Sequence, residues 1–101
     1  MADLDLSPAA RADLLDIRVY SVDQFGLEVA NGYFLGFDAV FALLREHPLA
    51  GVARSDLGAG IRCLIHRRHR IFYYVDDDTV VIVRIVHHAM DALRAMKGRG
   101  G

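Results

Sequence analysis

The chain has 101 residues, of which 53% are hydrophobic and 25% charged, and its formal net charge is −1. A chain of about 100 residues removes roughly 65% of its unfolded surface from water, so one core is feasible, and the composition is too apolar for a disordered protein. No uncharged apolar run reaches the roughly 18 residues of a membrane span. Asp3 and Asp5 argue against a signal peptide. The lone Cys63 cannot form an internal disulfide, in keeping with a reducing compartment, so a cytoplasmic protein is expected.

The charge is unevenly spread. Residues 1–50 hold eight acids against three arginines, and residues 51–101 hold nine basic residues against five acids. Of the twelve basic side chains only Lys97 is lysine. Arginine suits planar, bidentate contacts, although a GC-rich genome supplies arginine as well. A positive C-terminal half fits an acidic partner.

In chain order, Leu4 and Leu6 alternate with Asp3 and Asp5, the period of a short half-buried strand over residues 2–6. Ser7 and Pro8 are an N-cap and a first helical residue. The helix they open runs to about Gln24, with an apolar stripe of Ala10, Leu14, Ile17 and Val19 or Tyr20. Gly26 ends it. A second helix from about Leu27 to Glu46 carries Ala30, Tyr33, Phe37, Val40, Phe41 and Leu44 on one stripe and stops before Pro48. Gly32 and Gly36, four apart, suggest close packing against the first helix. Residues 47–60 read as loop.

Ile61 to His87 reads as a three-stranded antiparallel meander with tips at Arg67-Arg68 and Asp77-Asp78. Counting back from the second tip pairs Val75 with Val80, Tyr73 with Ile82 and Ile71 with Arg84. One face then holds Ile71, Tyr73, Val75, Val80, Ile82, Arg84 and Val86, and is assigned to the helices. Arg84 is the misfit there and should pair with an acid of the first helix, such as Asp13 or Asp16. The other face holds Arg70, Phe72, Tyr74, Val81, Val83, Ile85 and His87. It needs a cover as well, either a partner or the chain's own loop or C-terminal segment.

Chemical motifs are sparse. Cys63, His66 and His69 have a spacing that tempts a zinc assignment, but strand alternation separates them and a fourth ligand is missing. No metal site and no cofactor is assigned. Arg70, Arg84 and His87 or His88 are the parts of a metal-free ribonuclease; two partly exposed histidines at a strand end are the plainer reading.

Taken together, the order strand, two helices and meander, with LSPAARADLLDI at residues 6–17, HPLAG at 47–51 and RHRIFYYVDDDTVVIVRIVHHAMD at 68–91, resembles the ParE branch of the RelE/ParE toxin superfamily. The resemblance implies an α+β fold over residues 1–97, comprising an N-terminal strand, a two-helix hairpin, a three-stranded meander and a short C-terminal helix, followed by a flexible Gly-rich tail at 98–101. It also implies a cytoplasmic toxin of a type II toxin–antitoxin pair, acting on DNA gyrase and neutralised by a ParD-like antitoxin. Relatives of the RelE branch instead cut mRNA on the ribosome. Met90 stands where that nuclease branch has arginine, and no tyrosine follows, so a non-enzymatic protein is expected. Arg70, Phe72, Val83, Ile85 and Met90 are the residues assigned to antitoxin binding, with no membrane and no specific nucleic-acid contact.

Overall fold

The structure is a computed structural model and describes residues 1–98. Its elements are β1 (Asp3–Leu6), α1 (Pro8–Phe25), α2 (Leu27–Glu46), β2 (Val52–Ala53), β3 (Arg62–His66), β4 (His69–Asp76), β5 (Thr79–His87) and α3 (Ala92–Gly98). The strands form one sheet in the order β1-β5-β4-β3-β2. The meander is antiparallel, and β1 joins β5 in parallel. The α+β architecture anticipated from the sequence is therefore present. Residues 47–60 are not all loop, because Val52 and Ala53 pair with Cys63 and Arg62. A strand of two residues is too short to leave a periodic pattern. Of the tail expected at 98–101, Gly98 closes α3 and the rest lies outside the described residues.

Local chemistry sets the helix ends. The Ser7 side chain accepts the Ala10 N–H and Pro8 opens the first turn of α1. The same hydroxyl donates to the Val83 carbonyl at 2.8 Å, so one residue both starts the helix and fastens it to β5. Between the helices Gly26 takes φ 86, a left-handed value that a side chain would oppose.

Between hairpin and sheet lie the buried Phe37, Leu44, Ile71, Tyr73, Val80, Ile82 and Ile85. The α2 stripe faces this core, with Tyr33, Val40 and Phe41 packed at its margin. By length and composition α2 could cross a membrane; here its Phe37 and Leu44 are sunk against the sheet. The α1 stripe holds at Ala10, Leu14 and Ile17, but Val19 and Tyr20 are 62% and 61% exposed.

Two close approaches need glycine. A Cβ on Gly51 would sit 2.7 Å from the Tyr73 ring; in its place the Tyr73 hydroxyl accepts the Gly51 N–H at 2.8 Å and donates to the Pro48 carbonyl at 2.7 Å. This pins the HPLAG loop to the core, and burial raises the Tyr73 pKa. Gly36 does not seat α1, as its spacing suggested. A Cβ there would meet the His66 ring at 2.7 Å, whereas one on Gly32 would meet nothing within 4 Å.

The register holds only near the acidic turn. Val75 pairs with Val80 and Tyr73 with Ile82 as counted, but Phe72 pairs with Arg84 and Ile71 with Ile85. Val83 is an extra residue opposite the Phe72–Tyr73 step, a β-bulge. Because side chains alternate with a period of two, one inserted residue turns every later side chain over. Ile85 therefore joins the hairpin-facing core, and Val86 joins Phe72 and Cys63 on the other face, beneath Ala92 and Ala95 of α3. The part of the second face at Cys63, Phe72 and Val86 is covered by the chain's own C-terminal helix together with Leu57 and Ile61.

Candidate functional site

The outer surface of the hairpin carries more apolar area than the core uses. Leu15, Val19, Tyr20, Phe25, Leu27, Val29 and Leu35 each remain more than half exposed. Isolated exposed apolar residues are ordinary, but here Tyr20, Phe25, Leu27 and Val29 flank the α1–α2 turn, where Tyr20 and Phe25 meet edge to face at 6.4 Å. A groove of about 710 Å³ opens beside them. Its helical wall includes Ile17, Tyr20, Phe25, Val29 and Tyr33, and its sheet wall Ile85 and Met90. Arg67, Arg68 and His87 add a basic side from the β3–β4 tip and the end of β5. An apolar trough with cationic residues along one side fits an amphipathic segment bearing acids.

Asp13 and Arg84 also line the groove. Both are buried, at 5% and 4% exposure. The Arg84 guanidinium donates to the two Asp13 oxygens at 2.7 and 3.0 Å, and the same carboxylate accepts the Ile85 N–H at 2.9 Å. The pairing of β1 with β5 ends at Leu6 and Ile82. Beyond that point Asp13 takes over the partner role for a backbone group of β5 that no strand reaches. The expected pairing of Arg84 with a first-helix acid is thus found, and the planar fork explains the choice of arginine.

In the groove wall the Tyr33 hydroxyl lies 2.5 Å from His69 Nδ1. Burial, then the neighbouring His87, His66 and His88, pull the His69 pKa down to about 4. His66 packs on Phe37 with ring centroids 4.8 Å apart, and its buried Nε2 has no hydrogen-bond partner among the described residues. Burial lowers its pKa as well. Burial thus favours the neutral form of both rings, His66 packing on Phe37 and His69 bonded to Tyr33.

Residues 4–92 match the family described as "ParE toxin of type II toxin-antitoxin system, parDE". The chain belongs to the ParE toxin family. It is 38% identical over 87 residues to Toxin ParE1 of Caulobacter vibrioides, covering 86% of this chain and 90% of that one. To Toxin ParE1 of Mycobacterium tuberculosis it is 32% identical over 90 residues, covering 88% and 92%. Among solved structures, the chromosomal ParDE toxin–antitoxin system from P. aeruginosa superposes with a TM-score of 0.73 at 25% identity, covering 86% of this chain and 96% of that one. The toxin–antitoxin complex RelBE2 from M. tuberculosis superposes with a TM-score of 0.53 at 26% identity, over 85% and 96%.

In this ParE-family chain the five residues assigned to antitoxin binding do not share one surface. Ile85 and Met90 line the groove, Ile85 only 2% exposed and Met90 49%. Phe72 is fully buried under α3, and Arg70, paired with Val86, lies on that same side. Val83 sits at the bulge, bonded through its carbonyl to Ser7. The bulge is the physical reason for the split. Of the ribonuclease set, Arg84 and His87 both line the groove, but Arg84 is committed to Asp13 and Arg70 lies on the α3 side. Cys63 faces α3 and His66 faces the hairpin, so strand alternation separates the zinc-like trio. The groove residues Tyr20, Phe25 and Val29 were missed. Their signal in the sequence was an apolar density around Gly26 beyond what a single stripe needs.

Proposed function

We propose that this chain is the toxin of a ParDE-type pair, held inactive by a ParD-like antitoxin segment lying in the groove, and that it acts in the cytoplasm on DNA gyrase by binding it, without catalysing a reaction. The observation that carries the antitoxin part is the apolar trough with Arg67 and Arg68 at its side, next to the exposed apolar residues of the hairpin. An antitoxin segment with apolar residues at helical spacing would fill it, and acids on that segment would meet the arginines, speeding encounter and fixing register more than adding affinity. Met90, Tyr20, Phe25 and Val29 are the proposed contacts, over a floor that includes Ile85. Arg70 and Phe72 are left out of this contact set because they lie on the α3 side of the sheet.

A non-catalytic mode is supported by the commitment of Arg84 to Asp13, which withholds a guanidinium from any phosphate. Gyrase as target rests on family membership. Expressing the chain without antitoxin, and following gyrase supercoiling and mRNA integrity in the same culture, tests the reading. Lost supercoiling with intact mRNA is expected. Cleaved mRNA with normal supercoiling would replace it with a ribosome-dependent endoribonuclease built on Arg70 and His87 or His88.

A further inference from the structure

The second face of the sheet is closed in an unusual way. Cys63, Phe72 and Val86 are buried there, and the buried residues of the helix above them are two alanines, Ala92 and Ala95, with Met96 partly buried beside them. The larger Leu93 and the preceding Met90 stand about half exposed and do not join that contact. α3 spans seven residues, a length at which a helix has little stability of its own. Asp91 caps it by accepting the Arg94 N–H at 3.1 Å.

One buried polar tie reaches the middle of α3. Arg84 donates from Nη1 to the Ala95 carbonyl, while its Nε and Nη2 are held by Asp13 of α1. Asp13 is held in turn by the Ile85 N–H. Among the described residues, the bond from Arg84 to the Ala95 carbonyl is the hydrogen bond that joins this anchor to α3. Arg54 stacks over the edge of the covered strip, 5.9 Å from the Phe72 ring centroid, and is itself paired with Asp56, so it stays in place if the helix leaves.

We propose that α3 is a latched cover that lifts from the sheet as a unit while the core stays folded, and that the bond from Arg84 to the Ala95 carbonyl is the latch. The lifted state exposes an apolar strip of Phe72, Val86 and Cys63 bordered by Arg54. This goes beyond the antitoxin reading and does not depend on it.

Cys63, the only cysteine of the chain, is buried in the cluster that Ala92 and Ala95 close together with Leu57 and Ile61, and it reports opening of that cluster. The full chain is labelled with a thiol-reactive disulfide at fixed pH over low urea, and amide exchange of β4 and β5 is followed by mass spectrometry in the same samples. Cys63 is expected to label at least ten-fold faster than the core amides open, with a rate nearly independent of low urea. Ala95→Pro, which removes the Ala95 N–H bond to Asp91, should bring labelling close to that of an exposed thiol with β4 and β5 protection unchanged. Arg84→Lys should raise the ratio of Cys63 opening to core opening several-fold. Labelling that follows the urea dependence of the core amides, or an Ala95→Pro chain that loses core protection or does not fold, would make α3 part of the core and overturn the cover. An unchanged ratio in Arg84→Lys would overturn the latch.

Discussion

The two faces of the sheet are closed by different physics. On the hairpin side, large side chains from α2, β4 and β5 interlock, with Phe37, Leu44, Ile71, Tyr73 and Ile82 all essentially without solvent exposure. On the other side two alanines of a seven-residue helix, with Met96, Leu57 and Ile61 at the margin, close over Phe72 and Val86. The first is a packed core, where lost volume is felt fully; the second is a thin cover. The hairpin also carries apolar residues it does not use for folding, at Val19, Tyr20, Phe25 and Val29. The first apolar surplus is the surface proposed for a partner, and the other apolar strip is hidden by the chain itself.

Substitutions should separate the two sides by size of effect. Phe37→Ala, in the packed core, should lower stability by about 3–5 kcal/mol in urea unfolding. Leu93→Ala, on the outer side of α3, should change it by no more than about 0.5 kcal/mol. A loss comparable to that of Phe37 would mean that α3 is core after all.

The Asp13–Arg84 pair, which joins the two sides, comes next. Arg84→Met takes the Arg84 guanidinium away from the buried Asp13 carboxylate and should cost about 3–5 kcal/mol. Combining it with Asp13→Leu should recover part of that, because no charge remains buried. Recovery should be incomplete by about 1–3 kcal/mol, since the Ile85 N–H then has no acceptor. A double mutant worse than either single change would show that the pair is not the source of the effect.

Glycine gives a smaller and signed test. Gly51→Ala pushes a methyl group onto Tyr73 and should destabilise by about 1–3 kcal/mol. Gly32→Ala, in α2 with nothing within 4 Å, should stabilise by about 0.5–1 kcal/mol. Thermal unfolding of both variants checks the sign.

The smallest effect is the pH dependence of His69. Its pKa falls from the ordinary 6.5 to about 4 on folding, so its neutral form is favoured in the native state. Its contribution to stability is fully present above pH 6.5 and is lost as pH falls from 6.5 toward 4. Between pH 6.5 and 5, before most carboxylates titrate, His69→Gln should lose less stability than the unaltered chain. Parallel curves would place the titration elsewhere.

Local chemistry made most of the fold legible from the sequence. Ser7-Pro8, Gly26 and Pro48 mark helix ends through caps and forbidden dihedrals, and the α2 stripe and the Asp77-Asp78 turn follow from periodicity. What could not be read was non-local. The Val83 bulge has no glycine or proline to announce it, and it arises where β5 runs past β1 and leans on Ser7 and Asp13. Counting from the turn therefore assigned Tyr73 and Ile82 to the correct face and Ile85 and Val86 to the wrong ones. The error passed to the site. Phe72 and Ile85 were placed together as partner contacts because the alternation was carried through the bulge. Arg84 was recognisable as needing an acid, since a buried guanidinium requires one wherever the register puts it.

The central claim is that the partner is read on the hairpin groove and not on the α3 side of the sheet. Titration of a ParD-like antitoxin's C-terminal peptide into the chain carrying Val29→Asp tests it most directly. Val29 is 59% exposed, so the fold survives the change, and Val52→Asp on the distant β2 edge, 71% exposed, serves as the control. The account predicts that calorimetry shows an affinity loss of at least ten-fold, about 1.4 kcal/mol or more, for Val29→Asp and none for Val52→Asp. Unchanged binding by Val29→Asp would contradict it.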